Sequence, residues 1–478
     1  MKQLFLSSDF HIKTLRNKPK TDHQKACDKQ RSIALHSLTN LGGILDYYIP
    51  KRFFREEENK HNRRRRIFTI ENTFWGMFLQ ILMPDSSCQS IVHAFRIRYY
   101  QQKGKSISAA NSAYCQARKR LPLAFIQRVF SHLTQQNDAI HPLVGRRVIS
   151  ADGTGMTAED LAENQAMWPQ YRNQKVGCGF PQLRLCALFN LYTSTTLSYR
   201  IGNKKSHELK LLREQRESFK KDDIFVGDKG FICYYDQAQL KELGVDSIIA
   251  LAKRSPFTRH QATRVLSKND YLIRLNKPQN STQIKKRYDP DAWKAIPNEL
   301  ICRQIKITVS QPGFRIKAYH ILTTLIDEKK YPVTIISQLY WQRWQVELRF
   351  RDIKTTLGMD ILKSHTPEMV EKEILMYFIV FNVLRQLIVD SSNDHTPDQF
   401  SFKSCAQTLL SYHIENGVVN DRTGYQYRQE LLGYIGDCLL YKREGRTEPR
   451  LVKRRPKPFG LLMQSRKKLN DKSIAKRP

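Results

Sequence analysis

From Ile67 to about Val144 the apolar residues recur at three- and four-residue spacing: Phe74, Met77, Phe78 and Ile81, then Leu121, Phe125, Val129 and Leu133. This predicts amphipathic helices packed into a small bundle, with breaks at 85–90 and 103–108. The pattern changes at Arg146. Residues 147–154 form a short β-branched run closed by Asp152-Gly153, which predicts a strand with the carboxylate at its end. Runs at 183–191 and 196–201 predict two more strands joined by a turn at 192–194. Helical spacing then covers 206–219, opened by Ser206 as N-cap. A strand at 224–228 again ends on an aspartate, and a helix over 236–243 leads to a strand at 246–251. The order is mixed α/β.

Between Lys253 and Lys330 the pattern is β without helices, at 271–275, 300–309 and 314–325, so this stretch reads as a β-rich insertion. Long helical spacing returns from Tyr331 to about Val389, with further helices near 400–412 and 427–441. The expected organisation is a polar arm over 1–66, a helical region over 67–145, and the first part of a mixed α/β core over 146–252. The insertion over 253–330, the second part of the core with C-terminal helices over 331–441, and a basic tail over 442–478 complete it.

Charge turns this outline toward a partner. The 478 residues carry 80 Lys+Arg against 45 Asp+Glu, a formal charge of +35, yet 40% are apolar. A chain with that much core material folds, so the excess charge points to a polyanion, of which nucleic acid is the commonest. Residues 253–330 hold 17 basic and 6 acidic residues and residues 442–478 hold 14 and 3, together +22 of the +35. The longest apolar run, Ile374 to Leu384, falls short of the roughly 20 residues a bilayer-spanning helix needs. The start, MKQLFLSSDFHIK, is interrupted too soon by Asp9 for a secretory signal, so the expectation is a protein that stays inside the cell and away from membranes. Nine scattered cysteines without a Cys-x-x-Cys pair predict reduced thiols, with neither a disulfide framework nor a zinc ribbon.

Two aspartates at strand ends, Asp152 and Asp228, suit a divalent cation, which takes oxygen ligands. An isolated Asp-Gly is more often a plain turn residue or helix N-cap. Tyr340, Arg343, Glu347 and Lys354 lie three, seven and fourteen residues apart, so at about 100° per residue they share one narrow helical stripe. A carboxylate flanked by a phenol and two cations suits phosphodiester oxygens held beside a metal. An exposed i,i+4 ladder of Arg343, Glu347 and Arg351 accounts for the same spacing. Ser206-His207-Glu208 reads first as a helix cap, although His207 is placed to approach the site. Trp293 reads first as core of the insertion, with base stacking as the alternative. Trp341 and Trp344 are assigned to packing, and the run Arg63 to Arg66 is left between DNA phosphates and solvent.

The motif Tyr-x2-Arg-x3-Glu-x6-Lys, preceded by Leu322-Thr323-Thr324-Leu325 and Tyr331-Pro332, resembles that of bacterial insertion-sequence transposases with an Asp-Asp-Glu active site, in the group related to insertion sequence four. Asp152-Gly153-Thr154 resembles the first motif of that group and Asp228-Lys229-Gly230-Phe231 the second. The similarity extends to residues 115–122 and 450–457, and so covers about residues 70 to 460. It departs from the pattern at Ile232-Cys233, where a second aromatic is common.

The resemblance implies a ribonuclease H-like catalytic core interrupted by a β-rich insertion, with Asp152 on its first strand, Asp228 after its fourth and Glu347 on a later helix. It implies that these three carboxylates are the catalytic metal ligands for Mg2+, with Mn2+ as a substitute, and that Tyr340, Arg343 and Lys354 hold DNA phosphates. The expected activity is binding of terminal inverted repeats, cleavage and strand transfer on double-stranded DNA, by a homodimer in the bacterial cytoplasm at the nucleoid. The alternatives are a non-catalytic DNA-binding relative and a structure-specific nuclease on the same core.

Overall fold

The computed structural model describes residues 38–61, 66–85, 87–136, 138–231, 233–251, 258–279, 288–309, 317–416, 424–440, 462–465 and 468. The chain divides into two compact units, residues 1–121 with 407–434, and residues 122–406 with 435–478.

The first unit is helical. It contains α1 (Leu41–Ile44), α2 (Arg52–His61), α3 (Ile70–Leu82), α4 (Cys88–Lys103) and α5 (Ser112–Arg120). Thr69 caps α3 by accepting from the Asn72 N–H at 3.1 Å. Trp75, Phe54, Phe74 and Phe78 are fully buried and pack ring against ring. The polar arm expected over 1–66 is therefore not an arm at 38–61, where Leu41, Ile44, Tyr48 and Phe54 are core residues. Polar residues dominate the composition there, but the few apolar ones are spaced to one face. Arg63, Arg64 and Arg65 lie outside the described residues, and Arg66 is exposed.

The second unit carries the sheet. It opens with α6 (Leu123–Gln136), whose buried face of Phe125, Ile126, Val129, Phe130 and Leu133 follows the expected spacing. The boundary read from sequence grouped this helix with those before it, whereas it belongs with the sheet. Then come β1 (Val148–Ala158), α7 (Ala162–Met167), β2 (Gln182–Asn190), β3 (Thr196–Asn203), α8 (Glu208–Arg213), β4 (Ile224–Gly227), α9 (Tyr234–Glu242) and β5 (Asp246–Ala250). Next are β6 (Ala262–Ser267), β7 (Asp270–Asn276), α10 (Pro290–Ala295), β8 (Glu299–Val309), β9 (Lys317–Thr323), α11 (Val333–Gln342), α12 (Gln345–Arg351), β10 (Ile361–Leu362) and α13 (Pro367–Ser391). Two later helices, α14 (Phe402–Glu415) and α15 (Gly424–Gly436), follow in the chain, and most of both belongs to the first unit.

Among the described residues the strands form one sheet in the order β3-β2-β1-β4-β5-β9-β8-β7-β6, with β10 beside the end of β1. β1, β2 and β3 are antiparallel, β4 and β5 run parallel to β1, and β9 returns antiparallel to β5. The central strands are apolar on both faces, as parallel strands covered by helices must be. Val148, Ile224, Val226, Ile248 and Ala250 face α11 on one side. Ile149, Ala151, Phe225 and Ile249 face Leu211, Leu212 and Leu240 on the other.

The stretch 253–330 is not set apart from the core in space. Ile248, Ile249 and Ala250 pair with Thr323, Leu322 and Ile321, so β9 to β6 lengthen the catalytic sheet. It also contains a helix, α10, which the sequence reading lacked; Asp289 caps it and Pro290 occupies its first turn. Trp293 is buried and stacked on Tyr288 at 5.2 Å, in agreement with the packing reading.

The helix α13 is long and apolar enough to cross a membrane by length and composition, and 83% of that stretch is buried inside the protein. Asn382 anchors it to the sheet, donating to Thr196 O at 2.9 Å and accepting from Thr196 N–H at 2.8 Å. Arg385 and Gln386 end the apolar run read from sequence without ending the helix.

A buried ion pair joins the lengthened part of the sheet to the start of α11. Arg303 donates from Nε and Nη2 to both Asp270 oxygens at 2.8 and 2.6 Å, and from Nη1 to Tyr331 O at 2.6 Å. Removing one partner strands the other charge in the core. Asp270→Ala is expected to cost about 3–5 kcal/mol in urea unfolding. Breaking the half-exposed pair of Arg274 and Glu299 by Arg274→Ala is expected to cost under about 1 kcal/mol. Equal losses would refute the ranking.

Candidate catalytic rim

The register of β1 against β4 builds the site. Their parallel pairing ends at Ser150 opposite Val226. Asp152 and Asp228 each stand two residues past that last pair, so both carboxylates leave the sheet at one level. The sequence reading put Asp152 at the end of its strand. In the structure it lies within β1, which continues to Ala158 because β2 pairs with it as far as Thr157 opposite Gln182. What ends at Asp152 is the partnership with β4.

Each aspartate is oriented by its own turn. The Gly153 N–H donates to Asp152 Oδ1 at 2.8 Å, and the Gly230 N–H donates to Asp228 Oδ1 at 2.7 Å. Burial pushes the Asp152 carboxyl up to about 6. The Gly153 N–H and Arg343 oppose that shift, whereas the charges of Glu208 and Asp228 add to it. Glu208, the first residue of α8, is the neighbour that sequence reasoning missed. A Cβ on Gly153 would stand 2.4 Å from the Glu208 carboxyl carbon, so only glycine admits this side chain across β1. Arg184 on β2 is 4.0 Å from Glu208. The helix start was legible from sequence, but attention went to His207. His207 is instead the N-cap, its Nδ1 accepting from Leu209 N–H at 3.2 Å, and Ser206 lies one residue earlier.

The stripe of Tyr340, Arg343, Glu347 and Lys354 does not lie on one straight helix. α11 ends at Gln342, and Arg343 N–H bonds Tyr340 O while Trp344 N–H bonds Trp341 O, a tightened i→i+3 turn. α12 then passes into a wider i→i+5 turn over Asp352–Thr356. These departures from 100° per residue re-aim the four side chains. Tyr340 and Arg343 are buried, at 5% and 7% exposure, with the guanidinium 5.7 Å from the Tyr340 ring and 5.3 Å from that of Trp344. Burial pushes the Tyr340 phenol up, with Arg343 opposing and Asp228 adding. Glu347 is exposed and 3.8 Å from Arg343 Nη1. Lys354 reaches β1, donating to Gly155 O at 2.8 Å and Thr154 Oγ1 at 3.3 Å. Trp344 packs as expected, against Tyr319, whereas Trp341 is 44% exposed.

The rim thus holds Asp152, Asp228 and Glu208 with one buried cation, Arg343, among them. Arg343 Nε has no hydrogen-bond partner among the described residues. Among those residues no three acidic, histidine or cysteine side chains converge closely enough to hold a metal together. The pair Asp152 and Asp228 fits a hard divalent cation in donor chemistry: both offer carboxylate oxygens, and a cation would relieve the cost of ionising Asp152. Glu347 joins this pair only through Arg343.

Residues 144–383 match the family described as the transposase DDE domain. The chain is 27% identical over 434 residues to the transposase InsG for insertion sequence element IS4 of Escherichia coli (strain K12), covering 88% of this chain and 92% of that one. Among solved structures, the piggyBac transposase synaptic complex with hairpin DNA aligns over 87% of each chain with a TM-score of 0.37 and 8% identity.

A carboxyl raised from 3.8 to about 6 in the fold destabilises the protein once it must ionise. The cost is fully developed above pH 6, shrinks as pH falls toward 4, and reaches roughly 3 kcal/mol at most. In chelator-treated buffer, Asp152→Asn is therefore expected to raise the melting temperature at pH 8 and to leave it nearly unchanged at pH 4. A variant no more stable than wild type at pH 8 would contradict the burial argument.

Proposed function

Because the chain belongs to the transposase DDE domain family, we propose that it is the transposase of an insertion sequence, binding the terminal inverted repeats, cleaving the phosphodiesters there and joining the 3′ ends to target DNA. The observation that carries this reading is the shared level of Asp152 and Asp228 past the last β1–β4 pair. The order β3-β2-β1-β4-β5, with Asp152 on the first strand and Asp228 after the fourth, supports a ribonuclease H-like core. Similarity to an insertion-sequence transposase along most of the chain supports the same activity for the whole protein. It acts in the bacterial cytoplasm at the nucleoid, as a dimer that brings two ends together.

Asp152, Asp228 and Glu347 would hold divalent cations, Mg2+ in our reading with Mn2+ as a substitute. Bound there, the cations supply activation of the attacking oxygen and charge neutralisation at the leaving oxygen of an in-line displacement. The chain's own residues hold the DNA. The Arg343 guanidinium would meet a phosphate oxygen, and its packing against the Tyr340 and Trp344 rings keeps its plane fixed. The Tyr340 hydroxyl adds a directed donor beside Asp228. Lys354, tied to β1 at Gly155, places a point charge three residues along the strand from Asp152.

The test uses DNA carrying the element's ends with Mg2+. Wild type is expected to nick and join. Asp152→Ala, Asp228→Ala and Glu347→Ala are expected to lose both activities while still binding ends. A wild type that binds ends without cutting would favour the non-catalytic reading, and full cleavage by any one variant would remove that residue from the ligand set. Separately, Arg343→Ala is expected to lower the slope of log K against log salt by about 1; an unchanged slope would remove Arg343 from the phosphate contacts.

A further inference from the structure

Two antiparallel neighbours are usually joined by about 2–5 residues, yet β1 and β2 are joined by the whole of 159–181. This connection is built, not slack. Trp168 is buried and its carbonyl accepts from Gln182 N–H at 3.0 Å, which returns the chain to β2. Two glutamine side chains wire the tip. Gln165 donates to Gly179 O at 2.8 Å and accepts from Gln170 N–H at 3.0 Å. Gln170 accepts from the N–H groups of Gly177 and Gly179 at 3.2 and 3.1 Å, and donates to Gln174 O and Lys175 O at 3.1 and 2.8 Å. Gly177 holds a left-handed φ of 76°, which lets the turn close.

What the ordered tip presents is apolar. Val176 is 92% exposed, with Tyr171 at 48% and Phe180 at 45% beside it. A scaffold of polar bonds that turns an apolar side chain outward gains nothing from folding alone, and so marks a contact surface. The surroundings are cationic. Arg172 and Lys175 lie on the tip, and Lys204, on the turn after β3, stands over the Tyr171 ring at 5.4 Å with Lys205 next to it. The acidic residues of the connection, Glu159, Asp160 and Glu163, sit at its start, where Asp160 accepts from Gln165. The basic tail also meets the tip, since Ser465 Cβ lies 3.0 Å from where a Gly177 Cβ would stand.

Direction along β1 completes the argument. The connection leaves β1 at Ala158, six residues and about 20 Å at strand rise beyond Asp152, so its root is set off from the carboxylates along the strand. Cations without apolar groups would suit backbone phosphates alone. An apolar residue ringed by cations suits a base step opened beside the backbone, because only base or sugar carbon rewards its burial.

We propose that the tip of this connection, led by Val176 with Tyr171 and Phe180 and flanked by Arg172 and Lys175, is a DNA wedge that contacts bases beyond the cleavage position. This rests on the DNA-processing reading above and adds to it a surface outside the carboxylate rim.

The test uses the full chain and duplex ends carrying 2-aminopurine at single positions along the terminal repeat. Wild type is expected to brighten the probe at one or two of these positions. Val176→Ser with Phe180→Ser is expected to abolish the brightening and keep the wild-type salt slope. Arg172→Ala with Lys175→Ala is expected to lower that slope by about 2. Lys241→Ala, an exposed cation on α9 beside the start of β5, serves as the control, and melting temperatures equal to wild type verify folding. Wild-type probe signal in the serine variant together with a wild-type slope in the alanine variant would overturn the wedge. Cleavage by wild type, lost in Asp152→Ala, keeps the catalytic reading standing if the wedge fails. End binding that depends on the tip while wild type does not cut would keep the wedge and reject the catalytic reading.

Discussion

Parallel pairing of β1 with β4 is the constraint on which the site depends. Both strands are apolar on both faces, and a slip of one residue would turn Val148 and Ile149 each to the wrong helix layer, so the register is strongly held. Because that pairing stops at Ser150 opposite Val226, two aspartates separated by 76 residues of chain emerge together. The hydrophobic core thereby sets the position of the chemistry. Like charges gathered there are costly: Asp152 resists ionisation because it is buried and because Glu208 and Asp228 are its neighbours.

The helical side answers that charge with Arg343. Had α11 run on straight, its four motif residues would share a stripe. The tight turn at Arg343 draws the guanidinium between the rings of Tyr340 and Trp344, and the wide turn after Arg351 swings Lys354 onto β1. One motif thus supplies a buried cation at the rim, an exposed carboxylate paired to it and a lysine bonded to the neighbouring strand.

Positive charge is arranged on a larger scale. The described strands of 253–330 extend the sheet through the pairing of β5 with β9, so cations such as Arg264, Arg274 and Lys306 stand on the same hydrogen-bonded sheet as the carboxylates. Past the end of β1, the connection over 159–181 offers cations around an apolar tip.

Much of this was legible in the sequence, where the signal is local. Alternation and three-to-four spacing gave β1 to β5, α3, α4, α14 and α15 to within a few residues, whereas the break between α5 and α6 and those between α11, α12 and α13 were not read; the spaced motifs marked Asp152, Asp228 and Glu347 as candidates and the family to which the chain belongs. The errors came wherever a distant contact overrides a local pattern. Residues 38–61 looked polar but are packed; α10 lay hidden in a stretch read as strands; 253–330 looked like a separate piece but joins the sheet by pairing. Glu208 over Gly153 and Lys354 on Gly155 bring together residues 55 and 199 positions apart, and no periodicity encodes that. The sequence by itself determined most elements, the charge and the candidate side chains, because each depends on neighbours a few residues away. Which of those side chains meet was decided only by tertiary structure, because strand register and helix breaks are set by burial across the whole sheet.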